Sequence, residues 1–152
     1  MNINTANFGQ VSYSPKDIIH IPDGLFGFED MTEYLLIHIH PEESTFLCLQ
    51  SLQDENLSFI LANPTILYPD YAPVLKPEDQ KRLGLKEDTP VIFYSICVLK
   101  KPLKDSSCNL KAPILIKTDS REGAQVILEN REYDFHQPFP VNQPDSEERR
   151  NP

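Results

Sequence analysis

Short apolar runs recur along the chain, separated by Pro, Gly, Asp and Asn, at intervals typical of β-strands. Eight runs predict strands, at residues 8–13, 18–21, 34–40, 45–50, 58–62, 91–99, 114–117 and 124–128. The run VIFYSICVL at 91–99 is the richest in β-branched and aromatic residues. Because many short strands at regular spacing are typical of closed or packed sheets, we predict an all-β, mainly antiparallel fold, a compact β-barrel-like domain.

One short helix is predicted near residues 77–84, PEDQKRLG. Proline stands in its first turn, followed by two acidic residues, and two basic residues and a glycine close it, which suits the two ends of a helix. The polar connection TDSREG, at residues 118–123, ends in glycine and predicts a hairpin between the last two strands.

The segment NLKAPILI, residues 109–116, places Pro113 at the start of an apolar run. Because proline has no N–H to donate, within sheets it is confined to strand entries, edge strands and bulges. We therefore predict that Pro113 enters an edge strand and that Asn109 is a turn residue ahead of it. Ala112 and Pro113 would then form a stiff apolar step, either purely structural or used by a partner.

The length of 152 residues suits one domain with a substantial core. We predict a single domain at residues 1–136. The remaining segment, QPFPVNQPDSEERRNP at 137–152, is rich in proline and charge and poor in apolar residues, and predicts a disordered tail.

Three features of the sequence indicate the cellular compartment. The three cysteines lack the paired spacing of a disulfide framework, which favours a reducing environment. The start MNINTANFGQ has neither the basic nor the apolar region of a secretory signal. No run approaches the roughly 20 apolar residues of a membrane span. We expect a cytoplasmic protein without a membrane partner.

The net charge of -9 comes from the first half of the chain. Residues 1–75 hold ten acidic residues and one basic residue, whereas residues 76–152 hold 13 of each. This excess either serves solubility or attracts a basic partner by raising the encounter rate. We expect no direct nucleic-acid binding, because the chain has no Lys/Arg stripe to neutralise phosphates.

Candidate chemistry is sparse. His38 and His40 point the same way on a predicted strand and could seat a metal, but the alternation with isoleucines predicts solvent-facing histidines instead. Cys48 and Cys97 lie in apolar runs and are predicted core residues, whereas Cys108 lies in a loop and could be exposed. Phosphate-binding loops, nucleophile elbows and zinc-protease motifs are absent from the sequence. We predict no enzymatic activity, no cofactor and no metal.

Two loops combine aromatic and acidic residues on a stiff backbone. IPDGLFGFED, at residues 21–30, places two phenylalanines ahead of two acids, and YPDYAP, at 68–73, interleaves tyrosine, proline and aspartate. Such aromatics either plug the end of a barrel or form a docking surface for a basic or partly apolar partner.

These loops and NLKAPILI occur together in the flagellar assembly factor FliW family, which the chain resembles over roughly residues 3–139. The matching segments are IIHIPDGLFGFED, FLCLQSLQDENLSFILANP, YPDYAPVL and NLKAPILIKTDSREGAQVIL, in the family's order and spacing. The chain departs at Cys48, where an aromatic is frequent, and at Lys117, where asparagine is usual. The tail after Phe139 has no counterpart.

The resemblance implies a non-enzymatic regulator with a β-barrel-like fold and two protein partners. Members of the family bind flagellin before its export, and when flagellin has left they bind CsrA, a small basic RNA-binding repressor of flagellin translation, away from its RNA surface. From the matching segments we predict the partner-contacting residues Phe26, Phe28, Glu29, Asp30, Tyr68, Asp70, Tyr71, Asn109, Ala112 and Pro113.

Three alternative functions stay open at this stage. The protein could be a flagellin-specific chaperone without control of CsrA. It could be an enzyme or metal protein that uses His38, His40 and Cys108. It could also carry a small ligand, since a closed barrel can hold a pocket.

Overall fold

The computed structural model of the protein describes residues 1–40, 42 and 45–140. Within them the chain forms eleven strands and two short α-helices. The strands are β1 (Asn2–Thr5), β2 (Gly9–Ser12), β3 (Ile19–His20), β4 (Glu33–His38), β5 (Phe46–Ser51), β6 (Ser58–Ala62), β7 (Val91–Val98), β8 (Ser107–Cys108), β9 (Ile114–Lys117), β10 (Glu122–Gln125) and β11 (Gln137–Pro138). The helices are α1 (Pro64–Leu67) and α2 (Pro77–Arg82), and single 3-10 turns lie at Pro15–Asp17 and Leu103–Asp105.

Seven strands close into a barrel in the order β7-β6-β5-β4-β3-β10-β9, because β9 also pairs with β7. Neighbouring strands are antiparallel except β3 and β10, which are parallel. The long strand β7 uses one side twice: residues 91–94 pair with β9, and Cys97 and Val98 pair with β8. β11 then pairs with β8, while β1 and β2 form a separate hairpin.

Side chains of the barrel strands alternate between two apolar clusters. The first takes residues from six of the seven barrel strands and fills the barrel: Ile19, Ile21, Leu25, Tyr34, Leu47, Leu49, Leu61, Tyr94, Ile114 and Ile116. The second lies where the connecting segments cover the outer face: Ala62, Tyr71, Cys97, Cys108, Leu110, Ala124, Val126, Leu128 and Phe139. Burying both faces of the central strands explains why β5 and β7 read as nearly continuous apolar runs.

The predicted all-β fold is confirmed, and so is the helix, which is α2. The strands predicted at 58–62 and 114–117 have the predicted bounds. The predicted hairpin pairs β9 with β10, but β10 ends at Gln125 rather than residue 128. β1, β8, β11 and the four-residue helix α1 were not predicted, because they are too short or too polar to show a period.

The prediction that Pro113 enters an edge strand is wrong. β9 pairs along its whole length with β10 on one side and with β7 on the other. Pro113 lies one residue before β9, so its missing N–H removes no bond from either ladder, and its carbonyl accepts a hydrogen bond of 3.1 Å from the Val126 N–H. Ala112 and Pro113 are both buried, which favours the purely structural role of this apolar step over its use by a partner.

The predicted domain boundary at residue 136 is also wrong. Gln137 and Pro138 form β11, and Phe139 is 6% exposed and stacks on Phe46 with ring centroids 6.1 Å apart. Residues 137–140 therefore belong to the fold. The rest of the predicted disordered tail, residues 141–152, lies outside the described residues.

The histidines and cysteines follow the predictions with one exception. His38 and His40 are exposed beside half-buried isoleucines, and Cys48 and Cys97 are buried, as predicted. Cys108, which was expected in a loop where it could be exposed, is instead 1% exposed in β8 and faces Cys97. Among the described residues, no group of three or more His, Cys, Asp and Glu side chains is placed to hold a metal ion. No helix in the described ranges is both long and apolar enough to cross a membrane.

A candidate partner-binding surface

The aromatic–acidic loop, residues 21–30, leaves the barrel after β3 and is folded by two tight turns. The Gly24 N–H donates to the Ile21 carbonyl at 2.8 Å, and the Phe28 N–H donates to the Leu25 carbonyl at 2.7 Å. Gly24 has φ +68°, and a Cβ there would lie 2.5 Å from the Glu29 Cα, so only glycine fits. Leu25 is buried in the barrel cluster and anchors the loop.

The side chains that follow Leu25 face solvent. Phe26 is 50% exposed and Phe28 is 40% exposed, with the Phe28 ring edge-on to Phe59 at 5.2 Å. Glu29 and Asp30 are exposed, and neither forms an ion pair with a residue that the structure describes. The loop thus presents two aromatic side chains beside two exposed carboxylates, which is the combination predicted for a docking surface.

A buried glutamine holds this loop from below. Gln125 of β10 accepts a hydrogen bond of 2.9 Å from the Phe26 N–H through Oε1 and donates one of 3.0 Å from Nε2 to the Ala112 carbonyl. The sequence analysis missed Gln125, although a single amide inside the apolar run AQVIL indicates a buried polar role.

A second glutamine holds the acidic end of the loop. Gln53 accepts hydrogen bonds from the backbone N–H groups of Thr32 at 2.7 Å and Glu33 at 3.2 Å, and its Nε2 donates to the Asp30 carbonyl at 3.4 Å. Gln53 was also missed, because it lies in a turn where polar residues are ordinary. The two glutamines fix the loop backbone while leaving its side chains free to contact a partner.

The predicted residues of the second segment line an open groove of about 500 Å³, here called the tyrosine cleft. Its lining includes Tyr68, Asp70, Tyr71, Leu110, Glu132 and Tyr133. Tyr71 is 7% exposed, donates its hydroxyl to the Leu110 carbonyl at 2.9 Å and packs against Tyr133 with centroids 4.8 Å apart. Tyr68 is half-buried and donates to the Pro138 carbonyl at 2.7 Å.

The charge of the cleft is negative at its rim. Burial raises the pKa of Tyr68 and of Tyr71, so both hydroxyls stay neutral donors. A hydrogen bond from the Asn130 side chain lowers the pKa of Glu132, which favours its carboxylate. Asn130 is itself a residue that the sequence analysis missed: it also binds the backbone of Ala72 and Val74 and fixes the segment that carries Tyr71.

The segment 109–113 connects the loop and the cleft. The Asn109 side chain accepts a hydrogen bond of 2.8 Å from the Ala112 N–H, which confirms the predicted turn. The Leu110 carbonyl accepts a hydrogen bond from the Tyr71 hydroxyl of the cleft. The Ala112 carbonyl accepts one from the Gln125 side chain beneath the loop. The two surface areas are therefore joined through one short buried segment.

The structure divides the ten predicted contact residues into two groups. Seven reach the surface. Tyr68 and Asn109 are half-buried, and the other five are exposed: Phe26, Phe28, Glu29, Asp30 and Asp70. Tyr71, Ala112 and Pro113 are buried, and of these three only Tyr71 lines the tyrosine cleft. Their burial was not foreseen, because the sequence could not sort aromatic and apolar residues into core and surface, and their role as contact residues stays a prediction.

In the folded structure, part of the negative charge of the first half of the chain is offset by a basic residue of the second half. Arg82 of α2 lies 3.3 Å from Asp23 and 3.0 Å from Asp79, so a cation from the second half pairs beside the aromatic–acidic loop. Arg82 therefore offsets part of the negative charge of Asp23 and Asp79, whereas Glu29 and Asp30 form no ion pair with a described residue. The count of charges along the chain could not show this pairing.

Comparison with known proteins places this architecture in one family. The FliW protein family model matches residues 2–139, which is the range that ends at the buried Phe139. A protein of Thermoanaerobacter pseudethanolicus described as flagellar assembly factor FliW is 33% identical over 139 residues, covering 91% of this chain and 93% of its own. One of Ruminiclostridium cellulolyticum with the same description is 36% identical over 133 residues, covering 88% and 90%.

A solved structure agrees with the sequence relatives. The crystal structure of the flagellar assembly factor FliW superimposes with a TM-score of 0.82 and 29% identity, and the match covers 93% of this chain and 99% of that one. The family model and the relatives span nearly all of the fold described above, from the β1–β2 hairpin to β11. The chain therefore belongs to the FliW family.

Proposed function

We propose that this protein is a flagellar assembly factor that binds flagellin and, when free of flagellin, binds and antagonises the translational repressor CsrA, so that flagellin translation proceeds. The observation that carries the proposal, beside family membership, is the aromatic–acidic loop. It presents half-exposed Phe26 and Phe28 next to the carboxylates of Glu29 and Asp30, which form no ion pair with any residue that the structure describes.

The loop suits binding of a basic, partly apolar protein. Aromatic side chains supply large contact areas and are enriched among the residues that dominate binding energy. Gln125 and Gln53 already hold the backbone in place, so binding orders few additional residues. Carboxylates at the rim increase the encounter rate with a cationic partner.

The proposed antagonism of CsrA is electrostatic. Carboxylates brought near an RNA-binding surface raise the free energy of placing phosphates there, even without contact to that surface. Glu29 and Asp30 are the loop acids that form no ion pair with a described residue, and Asp70 and Glu132 supply further carboxylates at the tyrosine cleft. Mutual exclusion of flagellin and CsrA follows when both partners require the aromatic–acidic loop.

Titration calorimetry tests the proposal. The full chain is titrated into CsrA from the same organism, alone and with flagellin bound beforehand. We expect binding to CsrA that pre-bound flagellin abolishes. Binding to flagellin without heat from CsrA would instead support the alternative of a flagellin-specific chaperone, and no heat with either partner would contradict the proposal.

A matched pair of variants assigns the binding to the loop. Phe26→Ala removes a side chain that is 50% exposed, and Leu103→Ala removes one that is 54% exposed between β7 and β8. We expect Phe26→Ala to weaken partner binding at least about tenfold, as for a residue at the centre of an interface. Leu103→Ala is expected to leave it unchanged. Equal partner affinities of the two variants would show that the loop is not part of the binding surface.

A further inference from the structure

Cys97 of β7 and Cys108 of β8 occupy directly opposite positions of an antiparallel pair, with their Sγ atoms 2.6 Å apart. The Asn109 N–H donates to the Ile96 carbonyl at 2.9 Å, which makes Cys97 and Cys108 a non-hydrogen-bonded pair. In such pairs the Cα atoms are only about 4.5 Å apart and the side chains approach most closely. That separation lies within the range that a disulfide spans, about 4.4–6.8 Å.

The third cysteine is excluded from this pairing by the sheet. Cys48 is opposite Ile60, and Ile60 is opposite Cys97, so Cys48 lies two strands from Cys97. Two strand spacings of about 4.8 Å each exceed the reach of a disulfide. Cys48 is therefore a built-in control for the reactivity of a buried thiol in the same sheet.

We propose that Cys97 and Cys108 form a reversible dithiol–disulfide pair, an oxidation site for low-molecular-weight disulfides. The thiolate of one cysteine attacks a sulfur of the small disulfide, which gives a mixed disulfide and releases one small thiol. The second cysteine then attacks the protein sulfur of the mixed disulfide and releases the second small thiol. Two protein thiols are oxidised, one small disulfide is reduced to two thiols, and the protons pass to these products.

Access to the pair requires a local opening of the sheet. Cys97 is 7% exposed and Cys108 is 1% exposed, and hydrogen bonding between the thiols together with burial raises the pKa of Cys97. The covering strands β8 and β11 have two residues each, so they open far more readily than the long strands. The pair should consequently react more slowly than an exposed thiol and faster than Cys48 in the centre of β5.

The pair lies next to the tyrosine cleft. Two residues after Cys108 the chain reaches Leu110, which lines the cleft, and β8 pairs with β11, whose Pro138 carbonyl binds the Tyr68 hydroxyl. A bond between Cys97 and Cys108 would fix β8 to β7 and restrict opening of this wall. The oxidation site stands independently of the proposed function, whereas any effect on flagellin or CsrA binding rests on it.

The experiment equilibrates the native full chain with mixtures of oxidised and reduced glutathione and traps free thiols by alkylation. Before alkylation we expect the mass of the oxidised chain to be lower by two hydrogens, and after it we expect proteolysis to yield one peptide that links Cys97 to Cys108 and disappears on reduction. Cys48→Ser is expected to behave as the wild type, and Cys97→Ser and Cys108→Ser to lose the link. Amide exchange at Leu110 is expected to slow in the oxidised form.

Two results would overturn the proposal. Glutathione adducts on the native chain without a Cys97–Cys108 peptide would show that the two thiols do not exchange with each other. A link that forms only when urea unfolds the chain would show that the folded pair is inert. Both results are read on the wild type and on Cys48→Ser, so they do not depend on whether Cys97→Ser or Cys108→Ser folds.

Discussion

The Oε1 atom of Gln125 accepts a hydrogen bond of 2.9 Å from the backbone N–H of Phe26, which lies 99 residues earlier in the chain. The same side chain donates to the Ala112 carbonyl. One amide group thus ties the exposed loop to the segment that enters β9, and it satisfies two backbone groups that would otherwise lack a partner in a nearly buried site.

Gln125→Ala is expected to lower the free energy of unfolding by about 2 kcal/mol, because the Phe26 N–H and the Ala112 carbonyl lose their partner. Gln10→Ala removes an exposed glutamine of β2 and is the control, with an expected change within about 0.5 kcal/mol. Urea unfolding measures both. In Gln125→Ala the Phe26 amide should also exchange faster in native conditions. Equal losses in the two variants would contradict the role of Gln125.

The two glycines of the aromatic–acidic loop are predicted to differ. Gly24 and Gly27 both have positive φ, but a Cβ at Gly24 would clash with the Glu29 backbone at 2.5 Å, whereas nothing lies within 4 Å at Gly27. Gly27→Ala should cost about 1–2 kcal/mol from φ alone. Gly24→Ala should cost more than about 3 kcal/mol, because the loop must move as well. Thermal unfolding of both variants measures the stability that each one loses. Similar losses of stability would show that the loop backbone moves to accommodate a Cβ at Gly24.

The regular parts of the fold could be predicted from the sequence because their cause is local. β6 and β9 have the predicted bounds because each is a run of branched and aliphatic residues that is flanked in the sequence by polar residues, proline or a turn. The helix α2 is set by Pro77 at its start and by acids and bases at its two ends. The sequence left Phe26 and Phe28 either at the end of the barrel or on a docking surface, and the structure exposes both because Ile21 and Leu25 are the loop residues buried in the barrel cluster.

The errors come from contacts between distant parts of the chain. Pro113 suggested an edge, but β9 is inserted between β7 and β10 and closes the barrel, which no local pattern reports. Cys108 looked accessible because its neighbours are serines, yet β8 pairs with the end of β7 and β11 covers it. Tyr71 could not be separated from Tyr68, because only the position of Leu110 decides which hydroxyl is buried.

Two buried tyrosines should respond oppositely to loss of the hydroxyl. The Tyr71 hydroxyl donates to the Leu110 carbonyl, whereas the Tyr34 hydroxyl is buried without a hydrogen-bond partner among the described residues. Tyr71→Phe should lower the free energy of unfolding by about 1–2 kcal/mol. Tyr34→Phe should leave it unchanged or raise it by about 1 kcal/mol, since an unsatisfied polar group is removed. Urea unfolding at neutral pH distinguishes them, and a larger loss for Tyr34→Phe would show that its hydroxyl has a partner.

Alkaline pH should destabilise the protein partly through Tyr34. Burial raises the pKa of Tyr34 from 10.0 to about 12, so between these values the unfolded chain is ionised at this residue while the folded chain is not. The contribution is fully present below pH 10 and is lost as the pH rises through 12. Wild type should therefore lose about 2 kcal/mol more than Tyr34→Phe across this window. Unfolding of both proteins over the pH range measures the difference, and parallel curves would contradict the shift.

The last prediction concerns the charge of the aromatic–acidic loop. The double variant Glu29→Gln/Asp30→Asn removes two carboxylates that form no ion pair with any described residue, and Glu87→Gln/Asp88→Asn removes two exposed carboxylates before β7. If the loop meets a basic partner, the loss of charge acts on association more than on dissociation. We expect the association rate with CsrA to fall about three- to tenfold in the loop variant and little in the control at low salt.

The difference should shrink as salt is added, because the screening length falls from about 10 Å at 0.1 M to about 3 Å at 1 M ionic strength. Stopped-flow association at several salt concentrations measures it, with circular dichroism to establish that all variants are folded. Equal effects of the two double variants would mean that only net charge matters, and no effect of the loop variant would show that CsrA approaches another face. A selective, salt-sensitive decrease would identify Glu29 and Asp30 as the acids that guide the partner to Phe26 and Phe28.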